Sequence, residues 1–194
     1  MNKNLQIMLK INHQLSHLSP NWEVKHLFIG TFNPEGGDPV SYFYGREKNF
    51  FWKLLSEIFN EDFNPKATNF IQLLELHKIA CMDMIQSIQR NDKKEFSKEE
   101  LENITGKGYS DTKIINGSII REYKTLEIQG IITKNKCHVY STWGTGSTLN
   151  NWKNETSKIS FTGNLVSPSP VARVPEGVSK YSYVLNDWKN KIII

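Results

Sequence analysis

Four short apolar runs, rich in β-branched and aromatic residues, recur along the chain, and each leads into a polar loop. They span residues 24–30, 79–85, 136–144 and 158–166. Runs of this length and composition are typical of buried β-strands. Because Gly, Pro, Asn or Ser residues follow each run, the pattern predicts four strands with loops at their carboxyl ends.

Between these runs, apolar residues recur at the spacing of an amphipathic helix. This spacing predicts helices over 2–17, 47–60, 68–76, 119–134 and 178–191, another after Ser147, and a short one at 97–104 within an exposed excursion from 89 to 117. Strand and helix therefore alternate, which predicts a three-layer α/β/α sandwich around a central four-stranded parallel sheet. With 194 residues, a single domain with a sizeable core is expected.

The first strand and its loop, residues 24–37, show the clearest candidate site. Gly30 removes a side chain where the strand leaves the sheet, and Pro34 holds Asn33 extended. In open α/β sheets, ligands bind at the carboxyl ends of strands, so Asn33 is placed where a ligand is expected. The alternative is an ordinary turn in which Asn33 bonds only its own backbone.

Composition narrows the classes of protein. Five Trp, seven Tyr and ten Phe suit a packed core, and the net charge of +4 permits a nucleic-acid partner without requiring one. Two cysteines are too few for a disulfide framework or a four-cysteine metal site. No apolar stretch approaches the length of a membrane span and no signal peptide is visible, so no membrane association and a cytoplasmic location are expected.

Common catalytic motifs do not occur in the sequence. It contains no GxGxxG, no GxxxxGKS/T, no HExxH and no GxSxG, and its five histidines are scattered singly. No metal and no cofactor are therefore expected. The candidate chemistry lies in the polar loops after the four strands, at 30–37, 83–87, 143–147 and 167–173.

Two segments near the first strand resemble motifs of the uracil-DNA glycosylase superfamily. Residues 30–36, Gly-Thr-Phe-Asn-Pro-Glu-Gly, are similar to its first active-site motif, in which a glycine ending the first strand precedes an Asp or Asn just before proline. Residues 42–52, Tyr-Phe-Tyr-Gly-Arg-Glu-Lys-Asn-Phe-Phe-Trp, resemble a tyrosine-rich segment with Asn before Phe-Trp in the mismatch-specific and hypoxanthine-DNA glycosylase branches.

Three further segments follow in the order of that superfamily. Residues 82–90, which contain Asp83, resemble the Trp-Asp-Val-x-x-Ser-Cys-x-Arg segment of the hypoxanthine branch. Trp143-Gly144 is similar to the Trp-Gly that ends the corresponding strand of the uracil enzymes, and 165–173 resembles the second active-site motif. The chain departs from the family by one extra residue before Asn33 relative to the mismatch-specific branch. It also has Ser167 where the uracil branches often have histidine.

The resemblance implies a uracil-DNA glycosylase-like fold and a monofunctional, cofactor-free and metal-free DNA glycosylase. Its partner would be DNA containing a damaged base, hypoxanthine, uracil or a related one, and the enzyme is expected to be a monomer. Such an enzyme extrudes the nucleotide and hydrolyses its N-glycosidic bond. The reaction needs a positioned water on one side of the sugar and hydrogen-bond donors where charge grows on the leaving base.

Roles follow residue by residue from this resemblance. Asn33 would orient the attacking water, and Asn49 would share or replace that role. An ionised Asp83 could accept from a ring N–H but would repel the adjacent carbonyl oxygen, unless burial kept it protonated. Because the hypoxanthine branch has Asp in this segment, the resemblance implies that deaminated purines are processed at least as well as uracil. The remaining candidates are Phe32, Phe50 and Trp143 with Asp83 for the base, and Ser167, Ser169 and Arg173 for the phosphates.

Alternatives stay open for these residues and for the whole chain. Phe50 also fits the apolar stripe of its helix, Asp83 also fits a surface or capping position, and Ser-Pro pairs are common in plain turns. A relative that binds nucleic acid or nucleotides without cutting is the alternative function, because an Asn-based site with Ser167 could have lost catalysis. A third possibility is an unrelated small α/β hydrolase or binding domain.

Overall fold

A computed structural model describes residues 9–105, 114, 119–143 and 150–194. Seven strands are described: β1 (Lys10–Asn12), β2 (His26–Gly30), β3 (Ile79–Asp83), β4 (Ile85–Arg90), β5 (Ile119–Tyr123), β6 (His138–Ser141) and β7 (Gly163–Asn164). Six helices lie among them in the described ranges: α1 (Phe51–Phe59), α2 (Phe70–Leu76), α3 (Lys98–Thr105), α4 (Thr125–Asn135), α5 (Asn150–Thr156) and α6 (Lys180–Lys191). None of the described helices is long and apolar enough to cross a membrane.

The central sheet has four parallel strands in the order β3-β2-β6-β7. Every residue of β2 is buried, as expected for a strand covered on both faces. Its register sets Gly30 opposite Asp83 of β3 and Ile29 opposite Ser141 of β6. The carboxyl ends of these three strands therefore meet at one edge of the sheet.

Alternate residues of the central strands enter two separate hydrophobic clusters. Phe28 belongs to the cluster with the buried residues of α1, α2 and α6, which include Leu54 and Trp188. Ile29 belongs to the other cluster, which contains Ile128 of α4 and Trp152 of α5. Helices thus cover both faces of the four-stranded parallel sheet, which confirms the predicted fold class at this level.

A second, three-stranded antiparallel sheet, in the order β1-β4-β5, was not predicted. It covers the sheet face that carries Ile29, because Ile11, Ile88 and Ile119 are buried in the same cluster. The helix predicted over 2–17 is wrong from residue 9 onward, where β1 and a turn are found, and residues 2–8 lie outside the described part. Backbone pairing with β4, which lies about 75 residues later, is the non-local interaction that decides the conformation there.

Four further predictions need correction. The helix predicted over 119–134 is a strand, β5, followed by α4, because Ile119 and its neighbours pair with β4. The strand predicted over 79–85 ends at Asp83, and Ile85 already belongs to β4. The excursion at 89–117 contains the predicted short helix, but it is not wholly exposed, because Phe96, Ile104 and Ile114 are buried in the core. The fourth strand is only two residues long.

His26, at the amino end of β2, generates a prediction about pH. Its side chain is buried, its ring packs edge-on against Phe59 at 5.3 Å, and its Nδ1 has no hydrogen-bond partner among the described residues. Burial first, and then the charges of Lys25, His138 and His77, lower the pKa of His26 from 6.5 to about 4. The folded protein therefore holds this imidazole neutral over a range in which the unfolded chain protonates it.

Because the pKa of His26 is lower in the folded state, its neutral form supports stability above pH 6.5, and this contribution is lost as the pH falls toward 4. The loss would be at most about 3 kcal/mol in the free energy of unfolding. The His26→Phe variant, which keeps the ring contacts, should lose less stability between pH 7 and pH 4.5 than the wild type. Guanidinium unfolding at both pH values measures this, and equal losses in the two proteins would contradict it.

Candidate functional site

The strand order creates a crevice between β2 and β6. From β2 the chain crosses through α1 and α2 to β3 on one side, and from β6 it crosses through α5 to β7 on the other side. Adjacent parallel strands whose connections leave in opposite directions form the topological switch point at which α/β proteins bind ligands. The residues at this point are Gly30, at the end of β2, and Thr142, just after β6.

Gly30 is required by the close approach of two polar side chains. A Cβ atom at this position would overlap Oδ1 of Asp83 and lie 2.5 Å from the hydroxyl oxygen of Tyr44. Only glycine allows Asp83 and Tyr44 to approach the backbone at the end of β2 in this way. The sequence signal that ended the first strand at Gly30 therefore has a structural cause.

Asp83 is 3% exposed and lies at the centre of a hydrogen-bonded group. Its Oδ2 accepts from Nδ2 of Asn33 at 2.7 Å and pairs with Nε2 of His13 at 2.7 Å. The backbone N–H of Leu15 donates to Nδ1 of His13 at 3.0 Å, so Nδ1 carries no proton and Nε2 is the donor to Asp83. Oδ2 accepts from two N–H groups, and it carries no proton itself.

Two contacts fix the position of Tyr44, one made by its ring and one by its hydroxyl. Its ring stacks on that of Phe51 with centroids 3.8 Å apart and an interplanar angle of 4°, and its φ of 56° lies in the left-handed region. Its hydroxyl lies 2.9 Å from Oγ1 of Thr142, which donates to the Ile29 carbonyl at 3.1 Å. Since a threonine hydroxyl has one proton, Tyr44 is the donor to Thr142. A non-glycine residue held in this backbone region at a crevice is the kind of strain found at functional sites.

Asn33 and Asp83, which come from different predicted loops, are thus brought into direct contact. Asn49 is placed differently: its Oδ1 accepts from the backbone N–H of Phe51 at 2.9 Å, at the start of α1. The Phe50 ring is half-buried and packs edge-on against Tyr181 at 5.5 Å. For these two residues the structure shows local contacts at the helix start, and their catalytic and stacking roles stay predictions.

The loop predicted to hold phosphates lies beside Phe50. The backbone N–H of Phe50 donates to the carbonyl of Pro168 at 2.9 Å. The Ser167 hydroxyl accepts from the N–H of Ser169 at 3.3 Å, and the Ser169 hydroxyl accepts from the N–H of Val171 at 3.3 Å. Both serines are half-buried and Arg173 is exposed, so a track for phosphates along this loop stays a prediction.

The two other aromatic candidates for the base pack against neighbouring rings, Phe32 in a buried position and Trp143 in a half-buried one. Phe32 is 3% exposed and lies edge-on to the His13 ring at 5.5 Å. Trp143 packs against Trp152 at 5.2 Å and Phe161 at 5.6 Å, in the cluster on the sheet face opposite α1. The structure shows aromatic contacts for both residues, and their roles toward a base stay predictions.

Nucleophilic and metal chemistry receive no support at this site. Cys81 is buried two residues before Asp83, and burial first and the charge of Asp83 second raise the pKa of its thiol well above 9.0. A protonated buried thiol is a poor nucleophile. Within the described ranges, no group of three or more His, Cys, Asp or Glu side chains could hold a metal ion.

Sequence reasoning missed three residues of the site: His13, Tyr44 and Thr142. Tyr44 was visible as part of the tyrosine-rich segment, and Thr142 directly follows an apolar run. For His13 the signal is the alternation in Lys10–Asn12, where only Ile11 is buried, but the spacing of apolar residues in this segment predicts a helix.

None of the protein-family models, curated proteins and solved structures compared with the chain matches it.

The contact between Gly30, Asp83 and Tyr44 generates a matched pair of variants. Gly30→Ala should reduce the free energy of unfolding by about 1–3 kcal/mol, because its methyl group must displace a buried carboxylate or the Tyr44 hydroxyl. Gly130→Ala in α4 has no atom within 4 Å of the new Cβ, so it should be neutral or stabilise the helix by up to about 1 kcal/mol. Urea unfolding compares the two, and a Gly30→Ala protein as stable as the wild type would contradict the packing described here.

Proposed function

We propose that this protein is a DNA glycosylase that removes deaminated bases, such as hypoxanthine or uracil, by hydrolysing the N-glycosidic bond of a flipped nucleotide. The observation that carries the proposal is the 2.7 Å contact between Asn33 and Asp83 at the switch point of the parallel sheet. These two residues belong to two separate segments that resemble uracil-DNA glycosylase motifs. Their convergence on one crevice is what a shared site requires.

The geometry of Asn33 suits the positioning of a water molecule. Its Nδ2 donates to Asp83, which fixes the plane of the amide. The Oδ1 of the same amide is an acceptor, which can hold a water by one of its hydrogens but cannot take a proton from it. Positioning of this kind lowers the activation barrier, because the water is already oriented toward the sugar when the base departs and the sugar gains oxocarbenium character.

Asp83 offers an acceptor to the base. Its Oδ2 is occupied by His13 and Asn33, while Oδ1 lies where a Cβ atom on Gly30 would stand. A carboxylate oxygen can accept from a ring N–H of a deaminated purine or of uracil, but it repels a neighbouring carbonyl oxygen. The N1–H of hypoxanthine has a carbonyl on one side only, whereas the N3–H of uracil has a carbonyl on each side, so hypoxanthine should be processed at least as well as uracil.

The alternative function is a relative that binds nucleic acid or nucleotides without cleaving them. It is favoured by one observation: both candidate asparagines use part of their amides within the protein, Asn33 toward Asp83 and Asn49 toward the N–H of Phe51. Incubation with labelled single- and double-stranded oligonucleotides containing uracil, hypoxanthine, xanthine or mismatched thymine, followed by alkali cleavage, separates the two. Binding of these oligonucleotides without any abasic-site formation would favour the alternative.

Asn33→Ala should lower the single-turnover rate by about 100-fold or more, with oligonucleotide affinity within about threefold of the wild type. The reason is that water positioning acts at the transition state and not in substrate binding. Asn154→Ala, an exposed asparagine in α5, is the matched control and should leave both quantities unchanged. If Asn33→Ala retains full rate, the water-positioning role moves to Asn49.

Asp83→Asn should shift the preference of the enzyme toward uracil. The new amide would keep its oxygen at the two N–H donors from His13 and Asn33 and set its Nδ2 where Oδ1 of Asp83 stands, so that it can donate to a base carbonyl. The measurement is the ratio of kcat/KM for uracil to that for hypoxanthine in paired oligonucleotides. A wild-type enzyme that removes uracil and ignores hypoxanthine, together with an unchanged ratio in the variant, would show that Asp83 has a structural role only.

A further inference from the structure

The residue that no motif assigned is His13, which is 2% exposed and contacts the centre of the site. Its Nε2 lies 2.7 Å from Oδ2 of Asp83, and its ring packs against Phe32 at 5.5 Å and Phe43 at 5.8 Å. The Leu15 N–H occupies its Nδ1. Each side of the imidazole is therefore engaged, and the ring has one orientation and one tautomer.

The backbone of the same segment also binds the first loop. The N–H of Gln14 donates to the carbonyl of Asn33 at 2.8 Å, and the N–H of Glu35 donates to the carbonyl of Asn12 at 2.8 Å. These two bonds flank the bridge between His13 and Pro34. The segment around His13 thus fixes the peptide that carries Asn33.

On its other side, this segment is bonded to the second sheet. The N–H of His13 donates to the carbonyl of Gln86 at 2.8 Å, and β1 pairs with β4 in antiparallel register. The turn that follows is held by Lys124, which is 6% exposed and whose Nζ donates to the carbonyl of Ser16 at 3.1 Å. His13 is therefore anchored independently of the loop that it orders.

We infer that His13 is a positioning residue for base excision, which holds Asp83 as a proton-free acceptor at Oδ2 and, through Asp83, sets the amide of Asn33. The inference rests on the proposed function and deepens it. In this role His13 contacts neither the water nor the base. It acts by holding in one arrangement the two residues that contact them, Asn33 and Asp83. In metal sites, loss of the hydrogen-bond partner that orients a ligand typically costs about 10- to 100-fold in affinity or activity, and we expect an effect of that size for His13.

His13→Phe removes the donor to Asp83 and keeps a ring between Phe32 and Phe43. It should reduce the single-turnover rate on the preferred lesion by about 10- to 100-fold and change oligonucleotide affinity by less than about threefold. His13→Gln, whose side-chain N–H can reach the same carboxylate, should recover most of the rate. His26→Phe is the matched control: it replaces an equally buried imidazole at the opposite end of β2 and should leave the rate unchanged at pH 7.5.

A double-mutant cycle tests whether His13 acts through Asp83. In an Asp83→Ala background there is no carboxylate to hold, so adding His13→Phe should cost less than about threefold in rate. The same 10- to 100-fold loss in both backgrounds would overturn the inference, and so would a His13→Phe single variant with full rate. Thermal unfolding of each variant identifies losses of rate that come from misfolding.

A measurement on the wild-type protein decides the geometry without any variant. Nitrogen-15 NMR of labelled histidine at pH 7.5 should show His13 with its proton on Nε2, and a proton on Nδ1 instead would overturn the proposed arrangement. A wild-type protein inactive on all four lesions would overturn the proposed function. An active wild type whose rate His13→Phe does not alter would overturn the role of His13 alone.

Discussion

The carboxylate of Asp83 is the constraint on which the rest of the site depends. A buried carboxylate is strongly unfavourable unless hydrogen bonds compensate its desolvation, and Asp83 is 3% exposed. Its donors come from two distant parts of the chain, His13 from the segment after β1 and Asn33 from the loop after β2. Folding must therefore bring three segments together before this buried carboxyl group is hydrogen-bonded. The polar centre specifies one arrangement of these segments more sharply than apolar packing alone would.

The parallel sheet could be predicted because the local sequence of its strands indicates their conformation. A strand such as His26–Gly30, buried on both faces, consists mainly of apolar residues, and this composition is visible in a short stretch of sequence. The second sheet carries no such signal. In β1 only Ile11 is buried, and in β5 the buried Ile119 is followed by alternating exposed and half-buried residues. Propensity and spacing therefore could not distinguish these two strands from helices. Their conformation is decided by pairing with β4.

The same distinction explains which site residues the sequence could predict. Asn33 and Asp83 stand at the ends of adjacent parallel strands, where the topology alone makes them neighbours. His13 reaches them from a different sheet, across 70 residues of sequence from Asp83, and nothing local marks that contact. Trp143 also follows a strand, but its ring packs against Trp152 beside the cluster that contains Ile29. A position at a strand end fixes the location of a backbone and leaves the face of the side chain undetermined.

The two sheets are joined at the site itself, and this has a mechanical consequence. The chain passes from Asp83 of β3 through the single residue Met84 into β4, and the N–H of Met84 donates to the carbonyl of Gly30 at 3.0 Å. β4 in turn pairs with β1, whose continuation delivers His13 back to Asp83. The connection thus closes on itself: the backbone joins Asp83 to β4, β4 pairs with β1, and His13 after β1 is hydrogen-bonded to Asp83. A displacement of the second sheet would have to break one of these links, so the antiparallel sheet serves as the support that holds the polar centre against the end of the parallel one.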